Sequence, residues 1–272
     1  MTAPSPDIPL RFFTVGDHSL PRILFLHGFL GSGGDWLPIA RLLENRYCCI
    51  LVDLPGHGEA CTPAAVADEG FFMQTVEALA AGLRRQVDGP CALVGYSMGG
   101  RIALALALRH PEMFTSAVII SSSPGLRTEE ERRQRRLHDD RLAAELEHDP
   151  DGFLERWYRL PLFETLAAHP AFPAIFESRR IADPRAIAAS LRFLGTGSQP
   201  PLWDELAGNR LPIMFFAGEK DAKFVEIGRQ MVNLCPGSTL EIFHGCGHTL
   251  HVEERARFVE RLSLFINTQK LS

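Results

Sequence analysis

The 272-residue chain has no C-x-x-C pair and no cysteine–histidine spacing that would hold zinc, which excludes the common metal-binding modules. It has no excess of positive charge. Its 28 Lys and Arg stand against 33 Asp and Glu, a net charge of -5 that gives no electrostatic reason to expect a nucleic acid partner. No apolar run approaches the ~20 residues that span a bilayer, so no membrane partner is expected. The first nine residues are proline-rich and lack both the basic start and the apolar stretch of a secretory signal, and they read as a frayed leader. No internal repeat or low-complexity tract is present. The six cysteines (Cys48, Cys49, Cys61, Cys91, Cys235 and Cys246) read as free, reduced thiols, which fits a cytoplasmic setting. What is there is an ordinary soluble composition, 46% hydrophobic and 22% charged, long enough for one large core with a small insertion.

Short apolar runs alternate with helical stretches through the first half. Residues 23–26, 47–52, 91–94 and 116–121 read as strands, and residues 36–43, 73–87 and 101–108 as helices. Each strand ends in a Gly- or Pro-containing loop, the mark of an α/β protein with a mostly parallel sheet. From residue 128 to about 206 no strand is expected, only helical stretches broken by Pro150, Pro161, Pro170, Pro173 and Pro184. Alternation resumes with strands at 212–217 and 239–243 and helices at 224–234 and 253–266. Residues 1–123 and 207–272 thus read as a sheet domain, and 124–206 as a helical cap inserted into it.

Ser97 stands in Gly95-Tyr96-Ser97-Met98-Gly99-Gly100, a G-x-S-x-G stretch between an apolar strand and an apolar helix. A serine on a tight strand-to-helix turn presents its hydroxyl to open space, and the flanking glycines make room for the bend. The hydroxyl needs a histidine to take its proton and a carboxylate to orient that histidine. His248, just past the last strand, and Asp221, just past the one before it, fall at the same sheet edge as Ser97. Asp221 also suits a helix N-cap. His244 is expected within the strand and His251 within the following helix. The alternative acid position after residue 121 holds only Ser122, Ser123 and Pro124. Asp53 and His57 read as architectural, in a loop shaped by Pro55, Gly56 and Gly58. The backbone amides of Met98 and Phe29 are the expected donors to a developing oxyanion.

The insertion is dense in arginine: Arg127, Arg132, Arg133, Arg135, Arg136 and Arg141, then Arg179 and Arg180. Many of these fit a solvated helix in which Glu129, Glu130 and Glu131 favour the N-terminus and pair with arginines at helical spacing. Arg101, in the first turn of the helix after Ser97, fits that account less well. A planar guanidinium so near the reacting centre suits a carboxylate, pointing to a small anionic polycarboxylate as partner.

With H-G-F at 27–29, D-L-P-G-H-G at 53–58, G-Y-S-M-G-G, G-E-K-D at 218–221 and G-C-G-H at 245–248, the chain resembles the α/β-hydrolase superfamily. Within the insertion, Pro124-Gly125-Leu126, Glu131-Arg132, Arg135, Asp139, Trp157-Tyr158, Pro161-Leu162-Phe163 and the run from Leu191 to Gly197 narrow the resemblance. So do Leu202-Trp203 and the stretch from Gly218 to Phe224. Together these are similar to the 2-succinyl-6-hydroxy-2,4-cyclohexadiene-1-carboxylate synthases of menaquinone and phylloquinone biosynthesis. That resemblance implies a lyase in which the triad removes a proton and an enolpyruvyl group leaves as pyruvate, with no cofactor. It also implies that Arg101, Arg135 and Arg179 bind carboxylates and that Tyr96, Trp157 and Phe163 line the pocket. The alternatives are a serine ester, thioester or carbon–carbon hydrolase working through an acyl-enzyme, and a non-catalytic receptor on the same fold.

Overall fold

The computed structural model describes residues 8–60, 70–180 and 183–269. Seven strands form one sheet: β1 (Arg11–Val15), β2 (Arg22–Leu26), β3 (Cys48–Asp53), β4 (Cys91–Tyr96), β5 (Phe114–Ile120), β6 (Ile213–Gly218) and β7 (Ser238–Phe243). Their order is β1-β3-β2-β4-β5-β6-β7. β1 pairs antiparallel with β3, and every other pairing is parallel. The chain runs outward from β2 to β3, then crosses back so that β4 lies on the other side of β2. This reversal opens a crevice beyond the carboxyl ends of β2 and β4.

The central strands read as continuous apolar runs because both faces of the sheet are covered. Successive residues point to opposite faces, so β2 sends Leu24 and Leu26 into one core and Ile23 and Phe25 into the other. The first core is closed by α2 (Phe71–Gln86) and α3 (Met98–Arg109), the second by α1 (Leu37–Leu43) and α11 (Arg255–Thr268). Cys48, Cys49, Cys91, Cys235 and Cys246 are free and buried, and burial pushes the Cys91 thiol up to about 12. Cys61 and residues 1–7 of the expected leader lie outside the described residues.

Between β5 and β6 come α4 (Glu129–His148), α5 (Pro150–Tyr158), α6 (Glu164–Ala167), α7 (Phe172–Arg180) and α8 (Pro184–Leu194), with no strand among the described residues. Leu146, Phe153, Leu154, Phe163 and Leu191 bury a core of their own, which Leu30 from the loop after β2 joins. Thr128 and Glu131 form a capping box at the start of α4. Arg132 and Arg136 pair with Glu129, and Arg133 pairs with Glu130, as helical spacing predicts.

Four expectations need correction. β1 precedes the strand read as the first. Its R-F-F-T-V sequence lies on the sheet edge, only half-buried, and so lacks the solid apolar run of an interior strand. The helix expected over 253–266 is two: α10 (Leu250–Glu253) and α11, separated at Glu254, whose backbone leaves the helical region. His244 lies beyond the end of β7, exposed, with Nδ1 3.2 Å from Glu219 Oε1. The helix expected from 224 begins at Ala222, giving α9 (Ala222–Leu234) directly after Asp221.

Candidate active site

The turn between β4 and α3 puts Ser97 at φ 50°, ψ -109°, a left-handed region that costs a non-glycine residue on the order of 1–3 kcal/mol. Surrounding bonds hold it there. The Ser97 amide donates to Ile120 O at 2.9 Å, the Gly99 amide to His27 O at 3.0 Å, and Ser122 Oγ to Ser97 O at 2.9 Å. A Cβ at Gly99 would collide with the backbone oxygen of His27, and one at Gly95 would stand 2.6 Å from the Ala103 Cβ. Only glycine lets α3 approach β2 so closely.

The structure brings Ser97, Asp221 and His248 together. Asp221 Oδ2 lies 2.7 Å from His248 Nδ1, and Ser97 Oγ lies 3.1 Å from His248 Nε2. A carboxylate only accepts, so Nδ1 carries the proton and Nε2 is left to accept from the serine hydroxyl. His248 is 2% exposed and Asp221 6%. Asp221 does occupy the N-cap of α9, but its side chain makes no capping bond. The carboxylate is committed to the histidine.

Met98 opens α3, where the helix supplies no partner for its amide, and Phe29 follows β2 across the crevice. Neither amide donates to another group among the described residues, and both residues line the cavity in front of Ser97. His27 and His57, by contrast, are spent on the loops. Their Nε2 atoms accept from the Leu54 and Leu30 amides at 3.0 and 3.3 Å. Burial holds both imidazoles below their ordinary range. Asp53 accepts from the Gly33 and Glu59 amides.

The cavity measures about 650 Å³, the size of a small-molecule site. Tyr96, Trp157 and Phe163 line it, as do Arg101, Arg135 and Arg179, while Arg180 instead pairs outside with Asp151 and Glu177. Arg127 and Arg255 line the cavity as well, and the three arginines expected at the site differ in how far their charge is already met. Arg101 is 8% exposed and donates to two neutral acceptors, Leu194 O at 2.7 Å and Gln199 Oε1 at 3.4 Å. Burial, with Arg135 nearby, pushes its guanidinium down to about 9. Arg135 donates through Nε to the buried Asp139 at 2.7 Å. Arg179 departs from the free carboxylate ligand that the resemblance implies. Both its terminal nitrogens sit 2.8 Å from the Asp35 carboxylate, and Nε reaches Tyr158. Burial pulls this guanidinium down, but Asp35 and Tyr158 more than offset it and hold it above its ordinary value.

The sequence pattern of the α/β-hydrolase fold family matches residues 21–255. A putative 2-succinyl-6-hydroxy-2,4-cyclohexadiene-1-carboxylate synthase of Bacillus subtilis is 33% identical over 93% of each chain. The chain belongs to that synthase family, on the α/β-hydrolase fold. The synthase of Salmonella typhimurium is 31% identical over 91% of this chain and 94% of its own. The PHYLLO protein of Arabidopsis thaliana is 35% identical over 94% of this chain, which spans only 16% of that larger protein. The structure of MenH from S. aureus superposes with a TM-score of 0.90 at 32% identity, covering 96% of this chain and 99% of that one. An esterase from Thermogutta terrifontis, at 22% identity and a TM-score of 0.79, shares the fold.

Several cavity residues in this family member escape sequence reasoning. Asp35 lies in a short 3-10 turn before α1 and meets Arg179 only through tertiary packing. His251 is buried with its ring centroid 4.4 Å from Tyr96 and 4.8 Å from Trp36, and burial pushes it down to about 3. Arg127 stacks 3.7 Å above the Trp203 ring at the cavity rim. No local motif marks these positions.

Proposed function

We propose that the chain eliminates pyruvate from 2-succinyl-5-enolpyruvyl-6-hydroxy-3-cyclohexene-1-carboxylate to give 2-succinyl-6-hydroxy-2,4-cyclohexadiene-1-carboxylate, a step of menaquinone or phylloquinone biosynthesis. The observation that carries this reading is the hydrogen-bonded series Ser97–His248–Asp221 opening on a cavity in which Arg101, a buried cation, bonds to no carboxylate among the described residues. The substrate brings three carboxylates. Arg101 and Arg135 are the cations best placed to receive them, and family membership supports the assignment.

In the proposed reaction His248, oriented by Asp221, draws the hydroxyl proton of Ser97, and the serine oxygen takes the ring proton at C2, beside the succinyl carbonyl. Negative charge grows on that carbonyl oxygen, where the Phe29 and Met98 amides stabilise it, each by roughly 3 kcal/mol. The electrons left at C2 form a double bond to C3, the C3–C4 pair moves to C4–C5, and the C5–oxygen bond breaks. Enolpyruvate leaves, taking a proton as it becomes pyruvate. Tyr96, Trp157 and Phe163 exclude water from the ring.

The same serine, histidine and amide donors also suit acyl transfer, so the deciding experiment runs two substrates. Pyruvate release from the enolpyruvyl cyclohexene is expected to exceed p-nitrophenyl ester cleavage by orders of magnitude, and Ser97→Ala is expected to abolish it in folded protein. Rapid ester turnover with a trapped acyl-serine and no pyruvate would overturn the lyase reading. So would a fully active Ser97→Ala.

A further inference from the structure

His248 is carried by a soft stretch of backbone, Gly245-Cys246-Gly247, in which Gly245 takes a positive φ of 76°. Its bond to Asp221 and the rings of Tyr96, Phe163 and Phe224 hold the imidazole itself, but none of them holds the backbone that carries it. The second restraint comes from Glu253, the last residue of α10. One carboxylate oxygen accepts from Thr249 Oγ1 at 2.6 Å, from the Thr249 amide at 3.2 Å and from Thr165 Oγ1 at 3.0 Å. The other accepts from the Gly247 amide at 2.7 Å. The residues on both sides of His248 thus hang on one side chain. No arginine or lysine among the described residues makes an ion pair with it, so these donors are its partners.

The fourth donor belongs elsewhere. Thr165 lies on α6 of the insertion, and a Cβ at Gly247 would overlap its hydroxyl. The insertion therefore rests directly on the histidine loop. We propose that Glu253 is a positioning residue, which holds the His248 loop through Gly247 and Thr249 and couples that loop to the insertion through Thr165. The placement of the insertion over the cavity is thereby transmitted to the Ser97–His248 contact. The inference rests on His248 serving Ser97, whatever the substrate.

The test uses full-length Glu253→Ala, Glu253→Gln and Thr165→Val proteins. Each is measured for its melting temperature, for kcat and KM of pyruvate release, and for the rate at which phenylmethylsulfonyl fluoride inactivates it. In that inactivation the Ser97 oxygen displaces fluoride at sulfur and its proton leaves through His248, so the rate reports the triad without the natural substrate. Glu253→Ala is expected to slow inactivation and kcat together by roughly 10- to 100-fold, the cost of an ångström-scale misplacement, with KM changed by less than about threefold. Glu253→Gln keeps one acceptor oxygen for the two threonines but turns its NH2 toward the Gly247 amide, and is expected to recover only part of the loss. Thr165→Val cuts the link to the insertion but leaves the Gly247 and Thr249 bonds, and is expected to slow inactivation and kcat together by less than Glu253→Ala does; wild-type values of both would overturn the coupling to the insertion. A folded Glu253→Ala protein with wild-type inactivation and kcat would overturn the proposal, as would Glu253→Gln no better than Glu253→Ala. If wild-type protein releases no pyruvate yet inactivation still depends on Glu253, the lyase reading fails and the positioning role stands.

Discussion

Arg101→Met removes the buried cation of the cavity while keeping an unbranched apolar stem beside Phe72, whose ring lies 5.9 Å from the guanidinium carbon. The guanidinium has five N–H donors, and its acceptors, Leu194 O and Gln199 Oε1, are both uncharged. Asp139, the carboxylate nearest in kind, is already bound to Arg135. A substrate carboxylate arriving at Arg101 therefore meets donors that hydrogen-bond no carboxylate among the described residues, with nearby Asp139 offsetting only part of their charge. A hydrogen bond to such a charged group is worth about 1.5–3 kcal/mol, which converts to a loss of roughly 10- to 150-fold in kcat/KM on its removal. The assay is initial-rate pyruvate release over a range of substrate concentrations, run beside inactivation by the uncharged phenylmethylsulfonyl fluoride. Inactivation is expected to stay at the wild-type rate, because Ser97, His248 and Asp221 are untouched. Arg135→Met is expected to cost less, since Arg135 is a third exposed and shares its charge with Asp139. Arg179→Met is expected to act mainly on stability, because it leaves the Asp35 carboxylate with the Ser32 amide but without its counter-ion. A kcat/KM within twofold of wild type for Arg101→Met would refute the anion-site reasoning. An equal loss in the inactivation rate would trace the effect to a disturbed α3 instead.

Gly99→Ala is expected to lower stability by about 1–3 kcal/mol, because the new methyl presses against the His27 and Leu26 carbonyl oxygens. Gly208→Ala, which meets nothing within 4 Å, is the control; equal melting temperatures for the two variants would sink the close-approach argument. Stability is also expected to fall as the solution is acidified. His251 is held down to about 3 by burial, so the unfolded chain binds the extra proton between pH 6.5 and 3 and the folded chain does not. Going from pH 7.5 to 5.5 then costs about 1.3 kcal/mol from this histidine alone, and His27 and His57 act with the same sign. Urea midpoints at the two pH values measure it, and His251→Leu should flatten the slope by that amount; an unchanged slope would show that His251 plays no part.

The local pattern of the chain carries the α/β alternation, the interior strands and the turn at Ser97, because each is written in contiguous residues: apolar runs of strand length, helical stretches and paired glycines. It also carries the residue types at the carboxyl ends of β4, β6 and β7, from which Ser97, Asp221 and His248 were expected to meet. Packing alone decided what each of these side chains does. Asp221 also suits a helix cap by sequence, and it takes the structure to show a 2.7 Å contact with His248 and no capping bond. The sequence sets Arg101 apart by its place after Ser97 but does not show that Asp35 pairs with Arg179 while Asp139 shares Arg135. The edge strand β1, half-buried, shows too little apolar periodicity to be read, and the glutamate that gathers the histidine loop is one acidic residue among many until α6 is laid against it. Hydrogen bonds and ion pairs between residues distant in the chain depend on ångström distances, which a linear order of side chains does not specify.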